Sequence, residues 1–210
     1  MKLNLGCGYN RLDGFLNVDR SSACNPDLVA NLEDIPWPWP DDSIELVVFH
    51  HSLEHMCAAA DSFLALMKEL YRVCHADAQI RIRVPHPRHD DFLNDPTHVR
   101  VITPELLGLF SRKNNDLWRA MRGANTPFAH YLDVDFETVY SEVTLEEPYR
   151  SQFAAGKLSN EQLRAEMRAR NNVAKEYAIT LVVRKSQTPN RGGTEPPTGS
   201  PTRTPQGEQL

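Results

Sequence analysis

Lys2-Leu3-Asn4-Leu5-Gly6-Cys7-Gly8, followed by Gly14-Phe15-Leu16-Asn17-Val18-Asp19, is the stretch whose reading decides the fold. Lys2 to Leu5 has the look of a short strand halted by glycines, and Gly14 to Asp19 of a second strand ending on an acid. Glycines after a strand let a ligand approach the backbone with no Cβ in the way. A carboxylate closing the next strand can accept hydrogen bonds from a ribose diol. A dinucleotide site needs a third glycine and a helix whose N-terminus holds the pyrophosphate. Arg11 stands where that glycine would be, and Gly6 to Asp19 spans 13 positions. Dinucleotide folds place the acid about 20 residues on. A nucleoside without phosphate fits better, which disfavours a nicotinamide-dependent oxidoreductase.

Further along, Asp27 to Leu32 is a candidate third strand, and Pro36-Trp37-Pro38-Trp39-Pro40-Asp41-Asp42 a rigid, helix-breaking loop. Ile44 to Phe49 is an apolar strand of the kind buried on both faces. Ala58 to Val73 is the clearest helix: Phe63, Leu66, Met67, Leu70 and Val73 recur at spacings of three and four. Gln79 to Val84 alternates as a strand, and Thr103-Pro104-Glu105 opens a helix with Thr as N-cap. Tyr131 to Leu145 holds a strand and Tyr177 to Arg184 is another, with a charged helix over Asn160 to Lys175 between them. The alternation predicts an α/β, Rossmann-like fold with a mostly parallel central sheet and helices on both faces. Its last two strands are expected to form an antiparallel hairpin at the sheet edge. Residues 1–186 form the expected domain, with a helical insertion over 148–175. Residues 187–210, rich in Pro, Gly, Ser and Thr, are expected to be a disordered tail.

The composition excludes several classes. The 210 residues are 40% hydrophobic and 24% charged, enough for a real core. A net charge of −5 gives no global basic field for nucleic acid, so such a partner is not expected. No apolar run approaches the roughly 20 residues of a membrane helix, so no membrane insertion is expected. The four cysteines include no C-x-x-C pair, and the start of the chain lacks a targeting pattern. Reduced thiols and a cytoplasmic location follow as expectations.

The ordered motifs L-N-L-G-C-G, N-V-D, N-L-E-D-I-P-W-P-W-P-D-D-S-I-E-L-V-V, L-E-H and E-L-Y-R-V resemble class I S-adenosylmethionine (SAM) dependent methyltransferases. They are most similar to small methyltransferase-domain proteins of the group that includes quinone-biosynthesis methyltransferases. The resemblance covers about Leu3 to Pro85. It implies a SAM-binding loop at Gly6, Cys7 and Gly8, with Asp19 on the ribose hydroxyls and Arg20 beside the adenine. It further implies Asn31 on the adenine amino group, the backbone N–H of Leu32 on the ring, and His50 beside the methionine moiety. Two departures stand out: Asn4 replaces the acid common in the first motif, and the first crossover helix is nearly absent. The pocket is then either more open or closed by a partner chain, which makes a homodimer one expectation.

The acceptor side is expected in the segment His86 to Arg100, after the fifth strand. Methyl transfer to oxygen or nitrogen needs a deprotonated nucleophile in line with the sulfonium, so His98, Asp95 and His86 are the candidate catalytic residues. Two alternatives stay open. His86, His89, Asp90, Asp91, Asp95 and His98 include metal-ligand types, although no metal is assigned. Otherwise the segment is a polar loop in which Asp95 caps a turn and His98 packs. The expected activity is methyl transfer from SAM to a small-molecule or glycan-type acceptor. A non-catalytic, SAM-binding interaction protein is the alternative, prompted by Asn4 and the truncated front of the fold.

Overall fold

The computed structural model describes residues 1–185; the expected disordered tail, 187–210, lies outside them. Among the described residues there is one sheet of seven strands: β1 (Lys2–Leu5), β2 (Leu16–Asp19), β3 (Leu28–Val29), β4 (Ile44–His50), β5 (Cys74–Pro85), β6 (Phe136–Leu145) and β7 (Ala174–Val183). Their order is β3-β2-β1-β4-β5-β7-β6. The pairs β1/β2, β1/β4, β2/β3 and β4/β5 are parallel, whereas β5/β7 and β6/β7 are antiparallel. The mostly parallel sheet with an antiparallel edge pair is as expected.

Among the described residues, seven α-helices connect the strands: α1 (Ala60–Val73), α2 (Asp90–Leu93), α3 (Pro104–Gly108), α4 (Arg112–Ala120), α5 (Phe128–Leu132), α6 (Tyr149–Ala154) and α7 (Asn160–Ala169). Helix α1 buries Phe63, Leu66, Met67, Leu70 and Val73, the stripe its sequence spacing predicts. These side chains join Leu3 and Leu5 of β1, Val47 and Phe49 of β4, and Ile80 and Ile82 of β5 in one apolar cluster. Phe110 and Phe128 extend it, stacked with centroids 5.6 Å apart. Trp37 and Trp39 pack into the same core and meet edge to face. Glu69 of α1 holds their loop by accepting the Trp37 N–H, and Arg72 pairs with Glu69 and donates to the carbonyls of both tryptophans.

Several boundaries differ from the sequence expectation. β5 begins at Cys74, directly after α1, rather than at Gln79. Helix α7 stops at Ala169, because Arg170 is extended and Asn172 adopts a left-handed φ of 58°. β7 then starts at Ala174, and β6 starts at Phe136. Helices do not seal both faces equally. In β4 and β5 the buried Val47, Phe49, Ile80 and Ile82 alternate with exposed His50, Arg81 and Arg83. On that second face an open groove of about 380 Å³ runs past Val48, His50, Arg81, Arg83 and Tyr140.

The cause lies in the first crossover. Parallel strands need a long connection, usually a helix, yet residues 6–15 between β1 and β2 contain none. Two buried asparagines, each 2% exposed, secure this connection instead. Asn4 and Asn17 are register partners on β1 and β2. Asn4 Nδ2 donates to Asn17 Oδ1 and to the Asn10 carbonyl, each at 2.9 Å. Asn17 Oδ1 also accepts from Leu12 N, and its Nδ2 donates to Leu12 O, Phe15 O and Asp27 Oδ2. Asp27 receives the Asn17 N–H and the Arg11 guanidinium as well, and these partners hold its pKa down at about 2.

This network makes Asn4→Asp a sharp test. A carboxylate there would face two acceptors and donate nothing. Urea denaturation should show a loss of about 1–3 kcal/mol, the range for leaving a buried polar group unsatisfied. Unchanged stability would mean that Asn4 does not pin the connection. For Asp27 the folded pKa lies below the unfolded value. Its contribution is therefore present above the unfolded pKa and fades as pH falls toward 2, so Asp27→Asn should flatten that part of the acid-unfolding curve.

Candidate active site

A cavity of about 320 Å³ opens beyond the carboxyl ends of β1, β2 and β4. In an open α/β sheet this is the switch point, where the strand order reverses, β2 lying on one side of β1 and β4 on the other, and where ligands bind. Gly6, Gly8, Asp19, Arg20, Asn31 and Leu32 all line it. The structure thus brings together six of the eight residues expected at the cofactor.

Each is placed by its surroundings. Gly6 has φ +66°, and a Cβ there would lie 2.5 Å from Ser52 Cβ. Ser52 cannot easily retreat, since its hydroxyl donates to Leu5 O at 2.8 Å. Gly8 has φ +49° and only open space where a Cβ would point. The Gly8 N–H donates to Asp19 Oδ2 and the Ser21 N–H to Oδ1, both at 2.8 Å. The carboxylate is therefore fixed by backbone, with lone pairs left on both oxygens. Asn31 is fixed through its turn: its Oδ1 accepts from Glu33 N and its Nδ2 donates to Asp34. Leu32 is buried, and its carbonyl accepts the Trp37 indole N–H.

Cys7 and His50 are not among the cavity's lining residues. Cys7 is buried beneath the loop, and burial pushes its thiol pKa up. His50 projects into the groove on the opposite sheet face. Strand alternation explains the miss: β4 runs through His50, and the chain then turns at His51, which has φ +51°. His51 and Ser52, not His50, reach the cavity, with Glu33, His55, Met56 and Thr97 as further neighbours. His51 Nε2 meets Glu176 at 3.1 Å, and Glu54 and Glu176 hold the imidazole pKa above its ordinary value. The doubled histidine at 50–51 was the available sequence signal, but not which of the two would turn inward. Asn4, on the second face, also points away from the cavity.

The acceptor-side candidates separate. Asp95 Oδ1 accepts from both the N–H and the hydroxyl of Thr97, at 2.8 and 2.6 Å. Thr97 Oγ1 lies 2.8 Å from His55 Nδ1, and the His55 and His98 rings are 4.5 Å apart. His98 Nδ1 contacts Phe92 O at 2.9 Å, and its ring stacks on Phe92. The segment folds back onto the L-E-H turn: Val99 N and Arg100 N both donate to Glu54 O. The Arg100 guanidinium donates to the carbonyls of Cys57 and Ala59 and lies 4.3 Å above the Phe63 ring centroid. Much of the D-P-T-H-x-R pattern is therefore a clasp on residues 54–59, which carries Thr97 to the cavity.

His86 is not brought there. It is buried against Tyr177, and its Nδ1 accepts the Arg88 N–H. The physical reason is its position: it follows β5 directly and is consumed in stabilising the turn to His89. His89 in turn caps α2 through Asp91 N and contacts Glu146.

A seven-stranded sheet of this order, with a glycine loop and an acid facing its switch point, defines the class I methyltransferase fold. Residues 7–82 match the family model described as a methyltransferase domain. Among solved structures, the chain is similar to a SAM dependent methyltransferase from Archaeoglobus fulgidus, at 18% identity over 86% of this chain and 85% of that one, with a TM-score of 0.56. A SAM dependent methyltransferase from Mesorhizobium loti is 16% identical over 86% and 90% of the two chains, with a TM-score of 0.45. No curated protein sequence matches. The chain thus has the fold of class I SAM-dependent methyltransferases, and its residues 7–82 match the methyltransferase-domain model.

Two outcomes follow from this geometry. Gly6→Ala meets both a clash and an unfavourable φ, and should cost about 3 kcal/mol; Gly8→Ala meets only the φ, at about 1 kcal/mol. Urea melts of the two variants should differ in that order, and equal losses would contradict the close approach of Ser52. Burial, helped by Arg88 and His89, pushes the His86 pKa below its ordinary 6.5. The unfolded chain then binds the proton first, so stability should fall as pH drops below about 6.5. Melting temperatures at pH 7.5 and 5.5 should differ less in His86→Gln than in the wild type.

Proposed function

We propose that this protein transfers the methyl group of SAM to a small-molecule or glycan-type acceptor. The observation that carries the reading is the Asp19 carboxylate, immobilised by the Gly8 and Ser21 N–H groups at the rim of the cavity. It has the position and the free lone pairs to accept both hydroxyls of a ribose. Asn31 and Leu32 lie on the adenine side, and Gly6 and Gly8 leave backbone accessible to the amino-acid end. His51, His55 and Thr97 form the polar end of the cavity, where the acceptor approaches the sulfonium. There the protein's task is alignment, exclusion of water and removal of a proton from the acceptor. Asp95 and His98 stand behind that wall as positioning residues, through Thr97 and His55. His86 takes no part.

A small, uncharged acceptor suits the net charge of −5 better than a nucleic acid does. No described helix is long and apolar enough to cross a membrane. Asn4, one motive for a non-catalytic reading, pins the β1–β2 connection on the far side of the sheet and takes nothing from the cavity.

Calorimetry with S-adenosylhomocysteine checks the cofactor half. Wild-type protein should bind, and Asp19→Asn should weaken binding about tenfold or more, the effect of losing hydrogen bonds to a charged group. No binding by the wild type at millimolar ligand would overturn the proposal. A screen of hydroxylated and amine acceptors by S-adenosylhomocysteine release then tests transfer itself.

A further inference from the structure

Glu54 is 1% exposed, and neither of its carboxylate oxygens has a hydrogen-bond partner. His51 Nδ1 stands 3.5 Å from Oε1, too far for a good N–H···O bond. A buried carboxylate left in this state carries a desolvation cost of several kcal/mol, which a cation would offset. Two imidazoles stand beside it: one ligand atom from each of Glu54, His55 and His98 lies within 4.8 Å of the others.

The hydrogen bonds of both rings fix their tautomers. The Phe92 carbonyl can only accept, so His98 Nδ1 carries its proton and Nε2 its lone pair. Thr97 gives its hydroxyl proton to Asp95, so the same oxygen accepts from His55 Nδ1, leaving the His55 lone pair on Nε2 as well. Histidines that bind metals are held in this way, with the other ring N–H donated to a carbonyl or a carboxylate-anchored group. Asp95 thereby gains an outer role: through Thr97 it orients His55, and its Oδ2 lies 3.8 Å from His98 Nε2.

We propose that Glu54, His55 and His98 bind one divalent transition-metal ion of the zinc type. Imidazole and carboxylate donors suit such an ion, whereas magnesium and calcium favour oxygen alone. Bonds of about 2.0–2.2 Å would draw the three donors to roughly 3–3.5 Å from one another. Three protein ligands leave a coordination position free, and His55 lines the cavity, so that position faces the acceptor's end. An oxygen of the acceptor could bind there and lose its proton more readily. This last use rests on the methyl-transfer reading; the binding of the ion does not.

The test uses the full chain, stripped with chelator and dialysed. Zinc binding is followed by calorimetry, and cobalt(II) binding by its visible absorption, in the wild type and in Glu54→Gln, His55→Ala and His98→Ala. The wild type should take up one ion per chain, and each variant should lose at least about 100-fold in affinity. Melting temperature in chelator shows which variants keep their fold; His55→Ala, at the cavity edge, is the variant to rely on if the two inner ones melt early. The same samples are titrated with S-adenosylhomocysteine in chelator. Cofactor binding without metal uptake would overturn the metal site and leave the methyltransferase reading standing. Metal uptake without cofactor binding would do the reverse. Uptake unchanged in His55→Ala would place the ion elsewhere and overturn the site, and absence of uptake would leave His51 as the partner of Glu54.

Discussion

The Asn4–Asn17 contact is the constraint on which the cofactor end of the molecule depends. Two adjacent parallel strands are joined here by residues 6–15, too few for a packed crossover helix. The peptide groups of such a connection still need partners. Asn4 and Asn17 supply them from within the strands, binding the backbone at Asn10, Leu12 and Phe15. Because the connection is tied down on the second face, its other side can hold Gly6 and Gly8 in left-handed conformations and aim the Gly8 N–H at Asp19. The same economy leaves the second sheet face open beside β4 and β5.

A second constraint governs the opposite end of the cavity. Residues 53–59 follow β4 as a 3₁₀ turn, Leu53–His55, and an irregular approach to α1. They depend on distant groups: Glu33 accepts the Cys57 N–H, and Arg100 gathers the carbonyls of Cys57 and Ala59. The loop after β3, the turn after β4 and the segment after β5 are thereby linked. A change at Arg100 would be felt at His55 and Thr97 without touching a ligand.

The sheet was legible because its signals are local and periodic. The helix stripe Phe63 to Val73, the glycine-interrupted first strand and the closing acid Asp19 each need only a short window of sequence. What depended on tertiary partners was not legible. Nothing near His50 and His51 says that the strand ends between them and turns only the second into the cavity. Glu54 sits in a tripeptide of ordinary polarity, yet its side chain is buried and its backbone carbonyl is claimed by Val99 and Arg100, more than forty residues away. His86, His89 and His98 look equivalent in sequence, but backbone N–H groups claim the first two and a carbonyl orients the third. Composition alone could not assign those partners.

The sheet's two ends also differ in how they meet other chains. At one end β3 pairs over only two residues, Leu28 and Val29, and presents almost no ladder for a further strand. At the other, β6 is ten residues long and would be an inviting template for edge-to-edge growth. Its ladder with β7 is interrupted between Thr138 and Tyr140, and again between Thr144 and Leu145. Such irregularities bend and twist a strand and spoil the straight row of donors that an incoming chain needs. Glu137 and Glu142 add charges to the same strand. Among the described residues the sheet thus has one border too short to extend and the other too crooked.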